Sequence, residues 1–139
     1  MTQAITEIEA VLRTMAERYA ARDPDGVLEL FADDESLVVG TGADEVRFGL
    51  AAIRAQVERD IAQADTIAMR FEGLRTRVVG DAALCFADAA FAGSAGGEDF
   101  HLPVRMTAAL VRSGQDWRIA QFHVSVAFGG QAEGESFPV

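Results

Sequence analysis

The hydrophobic pattern of the chain changes period near residue 65, and that switch limits what it can build. Upstream, apolar residues recur every three or four positions. Ile5, Ile8, Leu12, Met15 and Tyr19 fall on one stripe of a helix, with Glu7, Glu9, Arg13, Glu17 and Arg18 turned outward. Asp23-Pro24-Asp25 supplies an N-cap, a first-turn proline and an early acid, so a second, short helix starts there. It buries Val27, Leu28, Leu30 and Phe31 and is expected to end near Asp33. After Gly49, the spacing of Leu50, Ile53, Val57 and Ile61 predicts a third helix reaching about Ala64. Between the last two lie a brief β-branched run, residues 36–40, and the turn-rich Gly40-Thr41-Gly42-Ala43-Asp44-Glu45.

Downstream the period is two. Ile67, Met69 and Phe71 alternate with Ala68, Arg70 and Glu72, and the strand is expected to continue through Val79 to a Gly80-Asp81 turn. Residues 82–92 return as a second strand, and Gly93-Ser94-Ala95-Gly96-Gly97 reads as a flexible loop. Residues 100–112 and 117–128 form a final hairpin around Ser113-Gly114-Gln115-Asp116. Pro103 cannot donate to a ladder, so it belongs at a strand start, an edge or a bulge. Helices first and then four long meandering strands predict an α+β fold with the helices on one face of the sheet. Strands of about ten residues exceed the usual five or six and are expected to coil strongly around the helices.

Composition narrows the function classes. At 139 residues the chain has the size of one domain, with half its residues hydrophobic and a quarter charged. We expect a single domain over residues 1–128 and an acidic, mobile tail over 129–139, whose Phe137-Pro138-Val139 could dock on a partner subunit. Twenty-two acids against 12 bases give a formal charge of −10, a field that repels phosphate backbones and anionic lipid. Nucleic acid and membrane surfaces are therefore poor partners. Cys85 is the only cysteine, which excludes an intrachain disulfide, and between Leu84 and Phe86 it reads as a small hydrophobe. The first residues lack the basic start and apolar run of a signal peptide, and no stretch approaches the ~20 apolar residues of a membrane span, so the expected address is the cytoplasm.

The segment Tyr19-Ala20-Ala21-Arg22-Asp23-Pro24-Asp25-Gly26, followed by Leu30-Phe31-Ala32-Asp33-Asp34, resembles the first helix-to-helix segment of the NTF2-like superfamily, which ketosteroid isomerases and SnoaL-like proteins share. The loop at residues 40–45, Gly49 before the third helix, and the closing Trp117-Arg118-Ile119-Ala120-Gln121-Phe122-His123-Val124-Ser125 are similar to the SnoaL-like subgroup more narrowly. The likeness runs from about residue 5 to 128. It implies a cone in which three N-terminal helices pack in the concave face of a strongly curved, mainly antiparallel sheet. Its motifs specify fold more than activity, because the superfamily includes isomerases, cyclases, dehydratases, hydrolases and assembly domains.

On a regular last strand, Trp117, Ile119, Gln121, His123 and Ser125 share one face, and Phe122, Val124 and Val126 the other. If the first set lines the hollow, as the resemblance implies, His123 is a candidate general acid/base and Ser125 a weaker polar contact. A lone histidine is as often a neutral core residue satisfied by one hydrogen bond. The resemblance places Tyr19 where the isomerases carry the phenol that hydrogen-bonds a developing enolate. Their carboxylate base would fall at Val39, however, and no acid stands near Thr107 or Ala108 to complete the site. Phe31 and Trp117 are expected in the pocket walls. Arg105 and Thr107 share a face of the preceding strand: a turn closing Ser113 on Asp116 pairs Met106 with His123, whereas a one-residue bulge brings Arg105 beside it, and we favour the bulge slightly. Asp44 and Glu45, in the loop before the third helix, are further candidate bases or plain loop acids.

His101 and His123 lack the spacing of a metal site, and no phosphate-binding glycine loop is present, so neither metal nor cofactor is expected. Two functions fit. One is a pocket for a small hydrophobic carbonyl compound, with cofactor-independent acid/base chemistry of isomerase, cyclase or hydrolase type at His123 and Tyr19. The other is a non-catalytic homodimeric module joined through an outer sheet face carrying Phe122, Val124 and Val126.

Overall fold

The structure is a computed structural model that describes residues 2–139. Three helices, α1 (Thr2–Ala20), α2 (Pro24–Leu28) and α3 (Leu50–Gln63), are interleaved with six strands: β1 (Leu37–Val39), β2 (Val46–Phe48), β3 (Thr66–Val79), β4 (Ala82–Ala95), β5 (Glu98–Ser113) and β6 (Asp116–Ser125). All six strands form one curved sheet in the order β2-β1-β6-β5-β4-β3, antiparallel except for the β1–β6 pair. The class is α+β, with the helices on the concave face of the sheet, the arrangement that the resemblance implied.

The helical stripe of α1 buries Ile8, Leu12, Met15 and Tyr19 against the sheet, chiefly β3. Burying each large aliphatic side chain contributes on the order of 1.5–3 kcal/mol. The facing side of β4 is made of small residues, Ala83, Cys85, Ala87 and Ala89, while Met106, Leu110 and Ile119 fill the centre. Cys85 is buried here, and burial pushes its thiol pKa up.

Several elements depart from the sequence expectation for identifiable reasons. α2 ends at Leu28 because the next residues turn to pair with β6: Ile119 N–H donates to the Leu30 carbonyl, and Ala32 N–H donates to the Ile119 carbonyl, each at 2.8 Å. Its start is as expected, with the Asp23 carboxylate accepting from Gly26 N–H at 3.0 Å. The run at 36–40 is β1, and residues 46–48 form a sixth strand too short to show a period. β3 does not alternate without interruption. A bulge at Gly73, whose φ is +62°, turns the inward set from Ile67, Met69 and Phe71 to Leu74, Thr76 and Val78. The glycine loop is shorter than expected, because the β4–β5 ladder extends to Ala95 opposite Glu98 and closes over Gly96-Gly97, both at positive φ. Pro103 lies in β5 beyond the point where β6 ends opposite Arg105, so the strand is locally an edge there. β6 ends at Ser125, and residues 126–139 carry turns and bends without helix or strand.

Gly93 is required by close approach. A Cβ there would overlap the Thr66 carbonyl oxygen and stand 2.7 Å from the Thr66 carbonyl carbon and 3.0 Å from the Ile67 Cα. Backbone cannot yield as a flexible side chain can. Gly93→Ala is therefore expected to lower stability by about 1–3 kcal/mol in denaturant unfolding; an unchanged midpoint would show that β3 and β4 separate freely at this point.

Candidate functional site

Between the three helices and the concave face lies a cavity of about 260 Å³. An apolar cavity of about 150 Å³ holds benzene, so this one has room for a body of one to two rings. Its walls come from Met15 and Tyr19 of α1, Val27 and Phe31, Ile53 and Val57 of α3, Met69, Phe91, and Phe122 and Val124 of β6. Phe100 and Leu102 of β5 line it where they also reach solvent.

One connected group of side chains makes its polar end. Tyr19 Oη donates to Asp60 Oδ2 at 2.8 Å, and Gln56 Nε2 donates to Asp60 Oδ1 at 2.7 Å and to Glu45 Oε2 at 3.3 Å. The Gln56 carbonyl accepts from Arg47 Nε at 3.0 Å, so both ends of this buried amide are engaged. Arg59 holds Asp44 at 2.8 Å and Glu45 at 2.9 Å, and Gly42 N–H donates to Glu45 Oε1 at 3.0 Å. Arg59 is thus turned toward the loop before β2 and Arg47 is held by the Gln56 amide, and neither lines the cavity.

The electrostatics follow from these contacts. Burial, assisted by the adjacent Asp60 carboxylate, holds the Tyr19 phenol far above its ordinary range, so it remains a proton donor. Burial also raises the Asp60 pKa; the bonds from Tyr19 and Gln56 oppose the rise, and the nearby Glu45 charge adds to it. Asp44 goes the other way: its bonds to Arg59 hold its pKa below the ordinary carboxylate value.

Of the candidates from sequence, Tyr19, Phe31 and Glu45 line the cavity, and Asp44 stands behind Glu45 on Arg59. Gln121, His123, Ser125, Arg105 and Thr107 do not, which corrects the expected facing of β6. Ile119 opposes Leu110 and Gln121 opposes Ala109, so Ala120 is an extra residue without an opposite number. Trp117 and Ile119 point inward ahead of this bulge; beyond it Phe122 and Val124 do, and His123 looks out from the convex face. The hairpin does contain a bulge, but on β6 rather than β5, which places Thr107 opposite His123 and Arg105 opposite Ser125. Arg105 Nε donates to Ser125 Oγ at 3.3 Å, well away from the hollow. Trp117 is buried, with Arg112 4.6 Å over its ring, and borders a separate groove that it shares with Ala10 and Val11 of α1.

Asp60 and Gln56 are the residues that sequence reasoning missed. Both lie on the apolar stripe of α3, three residues beyond Val57 and Ile53 respectively, and two amide or acid side chains on a buried stripe were the available signal. Among the described residues no three His, Cys, Asp or Glu side chains are placed to share a metal ion, and no helix is long and apolar enough to cross a membrane.

Comparison with known proteins agrees with this geometry at the level of fold. A family model described as the SnoaL-like domain matches residues 8–129. A search of curated proteins found no match. Among solved structures, an NTF2-like superfamily protein from Salmonella enterica serovar Typhimurium aligns with TM-score 0.84 at 20% identity, over 96% of this chain and 99% of that one. An NTF2-like protein of unknown function from Pseudomonas putida KT2440 aligns with TM-score 0.82 at 20% identity, over 100% and 97%. A candidate dehydratase of the NTF2-like family from Streptomyces avermitilis aligns with TM-score 0.83 at 17% identity, over 92% and 99%.

A raised carboxylate pKa has a definite consequence for stability. Because the folded chain binds the Asp60 proton more tightly than the unfolded chain, it holds more protons from pH ~4 up through the folded value, and stability falls as pH rises across that window. Asp60→Asn removes this dependence. The Tm of the parent minus that of Asp60→Asn is expected to decline from pH 4 to pH 7; a difference that grows instead would mean that Asp60 is stabilised as a carboxylate.

Proposed function

This chain belongs to the SnoaL-like family within the NTF2-like superfamily, and from that premise we propose that its cavity binds a small, largely apolar compound and moves a proton on it at the Tyr19–Asp60 pair, without a cofactor. The observation that carries the reading is a tyrosine hydroxyl donating at 2.8 Å to a carboxylate with a raised pKa, at the one polar end of a greasy hollow. A carboxyl group whose pKa is drawn toward neutrality can both take and return a proton. Asp60 has the proton-carrying role, and Tyr19 and Gln56 fix its orientation. A role for His123 finds less support, since its ring looks away from the cavity. The candidate dehydratase among the fold relatives favours proton-transfer chemistry, as an analogy of fold only.

Ethylbenzene titrated into the protein is expected to bind saturably at one site, read by calorimetry or by amide shifts of the lining residues. Ala64→Trp places an indole in the hollow and is expected to abolish that binding while the fold persists. Unsaturable binding, or binding indifferent to Ala64→Trp, would remove the cavity from consideration.

A second reading, compatible with the first, is a homodimer through the convex face. Register sets Leu84, Ala109, Gln121, Leu37 and Phe48 in one row, and Phe86, Thr107, His123, Val39 and Val46 in the next. Phe48 is 70% exposed and Leu84 52%, so the face offers an uncovered apolar band. Phe122 and Val124, expected in this contact from sequence, lie inside and cannot contribute. Sedimentation at micromolar concentration is expected to give a dimer that Phe86→Glu converts to a folded monomer; a monomeric parent chain would eliminate this reading.

A further inference from the structure

We infer that the compound taken by the cavity presents a hydrogen-bond donor to its polar end, above all an ammonium group, carried on a body of one to two rings. This rests on the reading of the cavity as a ligand pocket and names the class of ligand it selects.

The inference comes from counting protons and lone pairs. A tyrosine hydroxyl has one proton, and that of Tyr19 goes to Asp60 Oδ2. A glutamine amide has two, and those of Gln56 go to Asp60 Oδ1 and Glu45 Oε2. What remains to face a ligand is acceptor capacity: the free lone pairs of the Tyr19 oxygen, and those of an Asp60 carboxylate with about four acceptor sites, of which two are filled. Thr41 and Gln63 carry donors, but both are exposed at the rim, where water competes.

No basic side chain stands in the cavity wall to offset this. The 12 basic residues of the chain are all arginines, none lines the cavity, and neither histidine does. Arg47 and Arg59, the two in the network, are engaged by Gln56, Asp44 and Glu45. A carboxylate or phosphate ligand would meet Asp60 and Glu45 with nothing of opposite sign, a contact that selects against it. A carbonyl oxygen would find no free proton while Asp60 is ionised. An ammonium supplies what is missing, three donors and a positive charge. The aromatic rings of Phe31, Phe91, Phe100 and Phe122 around the hollow add the electron-rich surface on which such cations are stabilised.

Matched probes on a common benzene body test this: benzylamine, acetophenone, benzoate and ethylbenzene, titrated into the full chain near neutral pH. Benzylamine is expected to bind about tenfold or more tightly than acetophenone and benzoate, the margin of a charge-assisted hydrogen bond. Asp60→Asn should erase that preference while ethylbenzene binding stays unchanged, which also reports that the variant keeps its cavity. Benzoate or acetophenone binding as well as benzylamine would overturn the donor selectivity and leave the pocket standing. A benzylamine preference that survives Asp60→Asn would overturn the assignment to Asp60. Failure of all four probes, ethylbenzene included, would overturn the pocket and this inference with it.

Discussion

Both backbone hydrogen bonds of Ile119 go to the segment leaving α2, its N–H to Leu30 and its carbonyl to Ala32. This clasp joins the helical layer to the sheet, and much of the remaining geometry depends on it. It stops α2 after five residues. It also gives β6 two successive neighbours on one side: Phe31 opposite Ile119, then β1 from Gln121 onward. Ala120 is the extra residue between those pairings, and the phase of the strand turns over there. Phe122 and Val124 become cavity wall, and His123 becomes outer surface.

Polar satisfaction in the hollow depends in the same way on one amide. Gln56 faces Asp60 and Glu45 with its nitrogen and Arg47 with its oxygen, so its orientation is fixed by what each partner can accept or donate. Arg59, held by two acids in the loop before β2, draws positive charge away from the cavity and leaves Asp60 with only neutral donors. Burial is what lifts its pKa, against the bonds from Tyr19 and Gln56 and the Arg59 charge nearby. Structural ion pairs on one side and a poised carboxyl on the other are thus two parts of a single arrangement.

The fold was legible because long-period signals survive local irregularity: the stripe of α1, the Asp23-Pro24 start of α2 and the strands expected over 82–92 and 100–112 all appear in place, the two strands each a few residues longer. Facing was not legible to the same depth. A β-strand pattern carries its phase only until a bulge resets it, and both resets are written in the sequence as slips: Ile67, Met69 and Phe71 against Leu74 and Val78, then Trp117 and Ile119 against Phe122 and Val124. Reading β6 as regular put the polar residues inside and the aromatic outside, the reverse of what burial favours. The helical stripe placed Tyr19 inside, and the resemblance to the isomerases singled out its hydroxyl. Asp60 was overlooked because its place on the apolar stripe of α3 gives no hint that a tyrosine 41 positions earlier will meet it.

The far end of the β4–β5 ribbon runs beyond the last residue of β6, and it carries Phe100 and Leu102 to the margin of the hollow. This stretch of the margin is ladder-bonded backbone, closed over a two-glycine turn, whereas Thr41 in the loop before β2 and Gln63 at the end of α3 make another. Where the backbone is laddered in this way, the local opening changes by side-chain rotation, on picoseconds to nanoseconds, rather than by the slower movement of a loop. A guest approaching along this stretch would be sorted by bulk and shape against the Phe100 and Leu102 side chains before it met the polar end.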